Sequence, residues 1–317
     1  MSAVDIVTFG EALAMFLAME PGDLITADQY LRGLAGAESQ FAIGMARLGF
    51  RTGWVSRLGN DSFAPFIRSV LLREGVDLTC VQTDLHHPTG FQFKSRPLHG
   101  EVPVVESFRK GSAASRLSVE DFDPAYFRGA RHLHVTGIAP ALSPSAMHFT
   151  QHAMDFMRLS GKGISFDPNL REPLWPSQEV MIKQINPLAC KADYLLLSLA
   201  EGRLLTGLHA PEDITARYLQ FGVKHVVVKL GHQGAYFSSH DGQDGYVCAG
   251  APPADSITTG EGEGFAAGVI SALLEQRPLE AAIARGNWIG TLAMHAAGDM
   301  TGLPTRQQLE RHESEIW

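Results

Sequence analysis

Apolar and polar positions along the chain fall into two alternating patterns. Residues 4–9 form a short β-rich run that ends at Gly10. Residues 38–48 follow a helical period, with Phe41, Met45 and Leu48 recurring on one face and Gly49 as a C-terminal stop. Residues 132–136 and 163–166 read as strands. Residues 193–197 and 225–229 are nearly unbroken apolar runs, the pattern of parallel strands covered on both faces. Helical stretches, residues 145–159 and 211–221, lie between them. This alternation predicts an α/β fold with a doubly wound, mostly parallel sheet.

Two places break the alternation. Residues 91–96 and 104–109 are strand-like and flank Pro97-Leu98-His99-Gly100, which predicts an antiparallel hairpin. Residues 16–34 are irregular and could pair with it. Together they predict a small β-rich lid, with segments at about residues 12–36 and 90–114, inserted into one functional unit spanning residues 1–317. A second hairpin, residues 234–239 with 245–249, has a polar turn and is expected at a sheet edge.

Composition narrows the function. Lys and Arg total 26 against 34 Asp and Glu, a formal net charge of −8. An acidic chain without a basic block is a poor nucleic-acid or anionic-membrane binder, so neither partner is expected. Anions would have to be held by a few placed groups. No apolar run reaches the roughly 18 residues that suggest a membrane span. Cys80, Cys190 and Cys248 are widely spaced and form no CxxC, which fits a reducing, cytoplasmic setting. The opening residues lack the basic stretch of a signal peptide. His132 and His134 share a strand face, but no third ligand stands at zinc spacing.

The stretch Thr258-Thr259-Gly260-Glu261-Gly262-Glu263-Gly264 carries the most chemistry. It opens a helix on glycine-rich backbone, where N–H groups and the helix dipole favour an anion. A carboxylate on that first turn could take a proton from a substrate hydroxyl. Phosphoryl transfer to an alcohol needs that combination. The local pattern is equally that of a capped helix after a glycine-rich loop.

This stretch resembles the C-terminal signature D-T-x-G-A-G-D of the PfkB/ribokinase family of carbohydrate kinases. Residues 33–49, with Ala35-Gly36-Ala37-Glu38, resemble the family's N-terminal signature. Val228-Lys229-Leu230-Gly231-His232-Gln233-Gly234 resembles its nucleotide loop. Thr8-Phe9-Gly10-Glu11-Ala12, Phe108-Arg109-Lys110-Gly111-Ser112, Asp167-Pro168-Asn169-Leu170-Arg171 and Gly298-Asp299 resemble the members that act on 2-keto-3-deoxygluconate. The resemblance implies a ribokinase-like fold, and ATP and Mg2+ for phosphorylation of a sugar acid to its 6-phosphate. By the same resemblance, Arg109 and Arg171 would meet the substrate carboxylate, with Gly36, Ala37, Gln40 and Asp299 also on the sugar. Asn169, Ser198, Lys229, Gly231, Gly234 and Asn287 would line the nucleotide. Glu201 would reach Mg2+ through water. Gly260, Glu261 and Gly262 would form the anion hole, and Glu263 would be the catalytic base. A homo-oligomer paired through the lid is expected.

The departures from the family fall at the reacting end. Glu263 stands where the base is usually Asp, Glu261 where the anion hole has Ala, and Ile257 where the signature begins with Asp. Gln40 replaces an Asn, and Ser107 stands where an aromatic is frequent. A longer base displaces the carboxylate by roughly 1 Å, enough to cost on the order of 100-fold in rate. Glu261 would repel a triphosphate if it faced inward and would be a favourable dipole partner if it faced solvent. Two readings therefore stand: a working sugar-acid kinase, or a homologue that binds a sugar acid without efficient transfer.

Overall fold

The computed structural model describes residues 4–96, 103–249, 260–294 and 300–316. Its strands are β1 (Ile6–Phe9), β2 (Leu13–Pro21), β3 (Tyr30–Ala35), β4 (Thr52–Gly59), β5 (Val81–Asp84), β6 (Phe91–Arg96), β7 (Val105–Phe108), β8 (His132–Thr136), β9 (Gly163–Asp167), β10 (Tyr194–Ser198), β11 (His225–Lys229), β12 (Ala235–Ser239) and β13 (Asp244–Val247). They form two sheets. The larger has the order β13-β12-β11-β10-β9-β8-β1-β4-β5. Every pair from β11 to β5 is parallel, and β12 and β13 close one edge as the expected antiparallel hairpin.

The pleat explains why these strands read as unbroken apolar runs. Val7, Phe9, Leu133, Val135, Leu195, Leu197, Val226 and Val228 point to one helical layer, carrying Phe149, Met154, Ile185 and Ile214. Ile6, Leu196 and Val227 point to the other, carrying Phe41, Met45, Phe265 and Ile283. Each such side chain, fully buried, contributes about 1.5–3 kcal/mol. The winding direction reverses between β1 and β8. In an open α/β sheet, ligands bind beyond the carboxyl ends of the strands at such a switch. Those ends carry Gly10 and Glu11 (β1), Thr136 (β8), Asp167 (β9), Ser198 (β10) and Lys229 (β11).

The smaller sheet has the order β3-β2-β6-β7. Residues 16–34, read from sequence as irregular, are instead mostly two antiparallel strands, and β2 runs parallel to β6. The β6–β7 pair is antiparallel as expected, and its turn lies outside the described residues. Phe16, Phe91, Phe93, Phe108 and Tyr30 form a continuous ring cluster on this sheet. β4, β5 and the intervening helix Phe63–Arg73 were not anticipated. Gly53, Ser56, Arg57 and Gly59 interrupt the apolar run of β4, although all but Arg57 are buried.

Beneath the switch point lies a buried polar bridge. Ser165 Oγ sits 2.9 Å from His132 Nε2 and 2.8 Å from His134 Nδ1. One hydroxyl proton can serve only one ring, so at least one imidazole donates to Ser165. Burial holds His132 down at about 4 and His134 below the usual imidazole range. The unfolded chain takes up these protons near pH 6.5 and the fold does not. The stabilisation is therefore complete above about pH 6.5 and lost as pH falls towards 4. Denaturant midpoints measured across that window should fall more steeply for the native protein than for His132→Asn. Parallel slopes would show that His132 does not set the acid limit.

Candidate active site

The helix Glu261–Leu274 is held by close backbone contact. A Cβ on Gly268 would lie 2.7 Å from Gly286 Cα, and one on Gly44 would lie 3.0 Å from the Ala267 Cβ. Two helices therefore press on this one from different sides and fix where its N-terminus points. Its N-cap, Gly260, has φ 85 and no side-chain cap. The first ladder bond runs from Gly264 N to Gly260 O at 3.0 Å. The N–H groups of Glu261, Gly262 and Glu263 thus have no acceptor within the helix. With the dipole, they make an anion-binding turn.

A buried ion pair lies against this turn. Lys229 Nζ donates to Asp167 Oδ2 at 2.8 Å, and a Cβ on Gly262 would stand 3.6 Å from Nζ and 3.9 Å from Oδ2. Burial pushes the Asp167 carboxyl up despite the ammonium beside it. Burial works against the Lys229 charge, yet Asp167, Glu201 and Glu263 together lift it above the ordinary lysine value. Lys229 is therefore charged. Removing one partner of such a pair costs about 3–5 kcal/mol.

Asn169 connects this pair to the candidate base. Its backbone N donates to Asp167 Oδ1 at 3.2 Å, and its Nδ2 donates to Glu263 Oε1 at 3.0 Å. It adopts φ 36, a left-handed conformation that Asn tolerates better than most residues, and such strain concentrates at functional sites. Glu201 accepts from Leu170 N at 2.9 Å with Oε1 and from Ser198 N at 2.7 Å with Oε2. Ser198 Oγ in turn accepts from Glu201 N at 3.2 Å, completing a capping box. Ser198 and Glu201 thus organise the Asn169 loop.

Lys229, Gly231, Gly234 and Asn287, expected at the nucleotide, line one cleft. Glu261 lines it too, and a Cβ on Gly290, another lining residue, would stand 3.5 Å from its Cγ, which puts the side chain on the cleft side of the helix. Burial pushes the Glu261 carboxyl up, Lys229 opposes this and Glu263 reinforces it. Asn169 and Ser198 are not among its lining residues, although Ser198 stands in register with Lys229 on the adjacent strand. His232, Phe265 and Thr291 also line the cleft and were not expected there. The position of His232 between the two loop glycines was the available signal. The helix Leu279–Met294 gave none for Thr291.

The proposed sugar side gathers at the end of β1. Gly36 has φ 130, and a Cβ there would lie 2.3 Å from the Glu11 carbonyl oxygen, so no larger residue fits. Ala37 and Gln40 are buried on the helix Ala37–Arg47. Arg109 follows β7 and donates from Nε to Glu11 Oε2 at 2.7 Å. Arg171 is exposed beyond Asn169, and among the described residues neither a hydrogen bond nor an ion pair joins its side chain to the Arg109 group. Asp299 and Ile257 lie outside the described residues.

Asp167, Glu201, Glu261 and Glu263 thus all interact with the Lys229 ammonium. Among the described residues, no three His, Cys, Asp or Glu side chains converge as a metal-binding set. Mg2+ suits this arrangement only as an ion carried mainly by phosphate oxygens and water.

Against known proteins, the profile described as pfkB family carbohydrate kinase matches residues 3–306. A relative from Bacillus subtilis (strain 168), 2-dehydro-3-deoxygluconokinase, is 48% identical over 96% of this chain and 94% of its own length. A PfkB protein from Polaromonas sp. JS666 superposes with a TM-score of 0.89 at 45% identity, covering 97% of this chain and 99% of that one. An Escherichia coli structure in complex with ATP and Mg2+ superposes with a TM-score of 0.88 at 25% identity, covering 98% and 99%. These likenesses give no support to the reading of a homologue that binds without efficient transfer.

The inward-facing Glu261 makes a prediction. Glu261→Ala should lower the Michaelis constant for MgATP about threefold to tenfold, the equivalent of roughly 1 kcal/mol for one partly buried repulsion. An unchanged constant would mean that its carboxylate stays clear of the phosphates.

Proposed function

The chain belongs to the pfkB family of carbohydrate kinases, and from that premise we propose that it transfers the γ-phosphoryl group of ATP to the terminal hydroxyl of 2-keto-3-deoxygluconate. The product is the 6-phosphate. The observation that carries this reading is the pairing, on one helical turn, of open N–H groups with the Asn169-held carboxylate of Glu263. The name of the Bacillus subtilis relative supplies the substrate, and the Escherichia coli neighbour supplies ATP and Mg2+.

In this reading the cleft beside Lys229 takes the nucleotide, and the smaller sheet acts as the lid over the sugar. The two arginines, Arg109 and Arg171, meet the sugar-acid carboxylate, for which a planar guanidinium is well shaped. Gly36 and Ala37 lie under the sugar, with Gln40 behind them and Asp299 approaching from the C-terminal segment. Asn169 holds Glu263 so that its free oxygen can accept the hydroxyl proton as that hydroxyl attacks in line. The N–H groups of residues 261–263 receive the charge of the transferring group. Mg2+ bound with the nucleotide neutralises phosphate charge. Glu201 would reach that ion through water, since each of its oxygens keeps a lone pair beyond its backbone bond. Closing the lid excludes water and limits idle hydrolysis of ATP.

Val105 stands about half exposed on β7 and Leu31 is exposed on β3, and the register puts both on one face of the smaller sheet. An apolar lid face of this kind favours a second copy, so the protein is proposed to be a homo-oligomer. Cys80, Cys190 and Cys248 are free thiols, which suits the cytoplasm. Among the described residues no helix is long and apolar enough to cross a membrane.

Glu263→Gln should lower turnover by about 10²–10⁴-fold in a coupled ADP-release assay, the usual worth of a general base. Retained turnover would assign the base elsewhere. Arg109→Ala should raise the Michaelis constant for the sugar acid more than it lowers turnover, and an unchanged constant would remove Arg109 from the clamp. Light scattering should give a mass at least twice the 34.4 kDa of one chain. A monomer at assay concentration would contradict the oligomer.

A further inference from the structure

We propose that Glu11 is the positioning residue of the sugar-acid clamp: its buried carboxylate grips Arg109 from the Nε side and leaves the far edge of the guanidinium open to the substrate carboxylate. The inference rests on the reading of Arg109 as part of that clamp.

Glu11 lies where the chain crosses from β1 of the large sheet to β2 of the small one, and its side chain is wholly buried. Both its oxygens are committed. Oε2 accepts Arg109 Nε at 2.7 Å, and Oε1 accepts the Ser112 hydroxyl. Its backbone oxygen is the atom that excludes a side chain at Gly36. One residue therefore ties together the lid arginine, the turn that returns from the lid, and the glycine proposed to lie under the sugar.

The manner of the grip separates this pair from the structural ion pairs of the same molecule. Arg47 binds Glu74 through Nε at 2.7 Å and Nη2 at 2.9 Å, and Arg57 binds Asp121 through Nε and Nη2, both at 2.9 Å. Those are two-point forks that use up one edge of the guanidinium. Arg109 meets Glu11 at a single point, because Oε1 is turned to Ser112. Among the described residues, Nη1 and Nη2 of Arg109 make no hydrogen bond. The remaining edge still offers two parallel N–H groups, the pattern a carboxylate accepts. The Arg109 side chain keeps 15% of its surface exposed while Glu11 is wholly buried. A buried carboxylate beside it also compels the arginine to stay, since withdrawing it would strand the charge.

Neighbouring Glu38 sharpens the point. Its carboxyl is fully buried, accepts from the Thr136 hydroxyl with Oε1, and has no partner at Oε2. Arg109 and Glu11 both act on it electrostatically. Without Glu11 to hold it, Arg109 has a second acidic group close by to turn towards, and its open edge is no longer presented to the sugar acid.

The test is a double-mutant cycle on the full-length protein, reading ADP release with 2-keto-3-deoxygluconate. Glu11→Gln should raise the sugar-acid Michaelis constant about tenfold or more and change turnover less than threefold, with the constant for MgATP unmoved. In the Arg109→Ala background the same substitution should have no further effect on that constant. Ser112→Ala should move it in the same direction by a smaller factor, and it decides the matter if Glu11→Gln does not fold. An unchanged constant in Glu11→Gln, or in Ser112→Ala where that variant decides, would overturn the proposal, as would additive effects in the cycle. Arg109→Ala measured alone separates the two claims. If it leaves the constant unchanged, the clamp itself is wrong. If it raises the constant while Glu11→Gln does not, only the role of Glu11 fails.

Discussion

The buried pair of Lys229 and Asp167 beneath a helix N-terminus is the constraint on which the rest of the site depends. A helix end with open N–H groups attracts negative charge, and three further carboxylates, Glu201, Glu261 and Glu263, are arranged around it. One ammonium cannot balance four carboxylates. Two like charges about 4 Å apart repel by roughly 4 kcal/mol at an effective dielectric of about 20. The arrangement is tolerable because Asp167 is pinned to Lys229, Glu201 spends its oxygens on backbone N–H groups, and Glu263 is bonded to Asn169. Each of these three acidic groups is thus held by a different part of the fold. The residual charge suits a nucleotide that arrives with its own divalent cation.

The two sheets divide the work. The large sheet supplies rigidity. Its strand ends carry Asp167, Ser198 and Lys229, the last two in register, and the close contact of Gly268 with Gly286 fixes the reacting turn beside them. In the proposed reading the small sheet is the lid, and it is joined to the large one through Glu11 and Arg109. A substrate carboxylate at Arg109 would therefore act on the joint between the sheets. Recognition of the acid and closure over the hydroxyl become the same event, in keeping with binding energy used to assemble a reacting geometry.

Local patterns in the chain account for much of this arrangement. The strands at residues 132–136 and 225–229 have the bounds their apolar runs imply, and residues 234–249 turn back at a sheet edge. Glycines around residue 262 point to an anion-binding turn, and the capping box of Ser198 and Glu201 is written as Ser-x-x-Glu. Other features are hidden because they join distant positions. Glu11 and Arg109 are 98 residues apart, and Asn169 and Glu263 are 94 apart. No local period records such pairs. The direction of Glu261 is set by its contact with Gly290 of the neighbouring helix, and so cannot be read from a first-turn glutamate alone. β4 leaves no clear strand pattern because its buried positions include polar and glycine residues that only a neighbouring strand makes sense of.

The most direct test of the account is ADP release from MgATP by the unmodified protein, with and without 2-keto-3-deoxygluconate, alongside calorimetric titration of the sugar acid on the same sample. The account predicts that the sugar acid binds and that ADP release depends on its presence. Sugar-acid binding with no release would contradict it, and would mean that a glutamate at 263, even held by Asn169, does not reach the hydroxyl it should deprotonate.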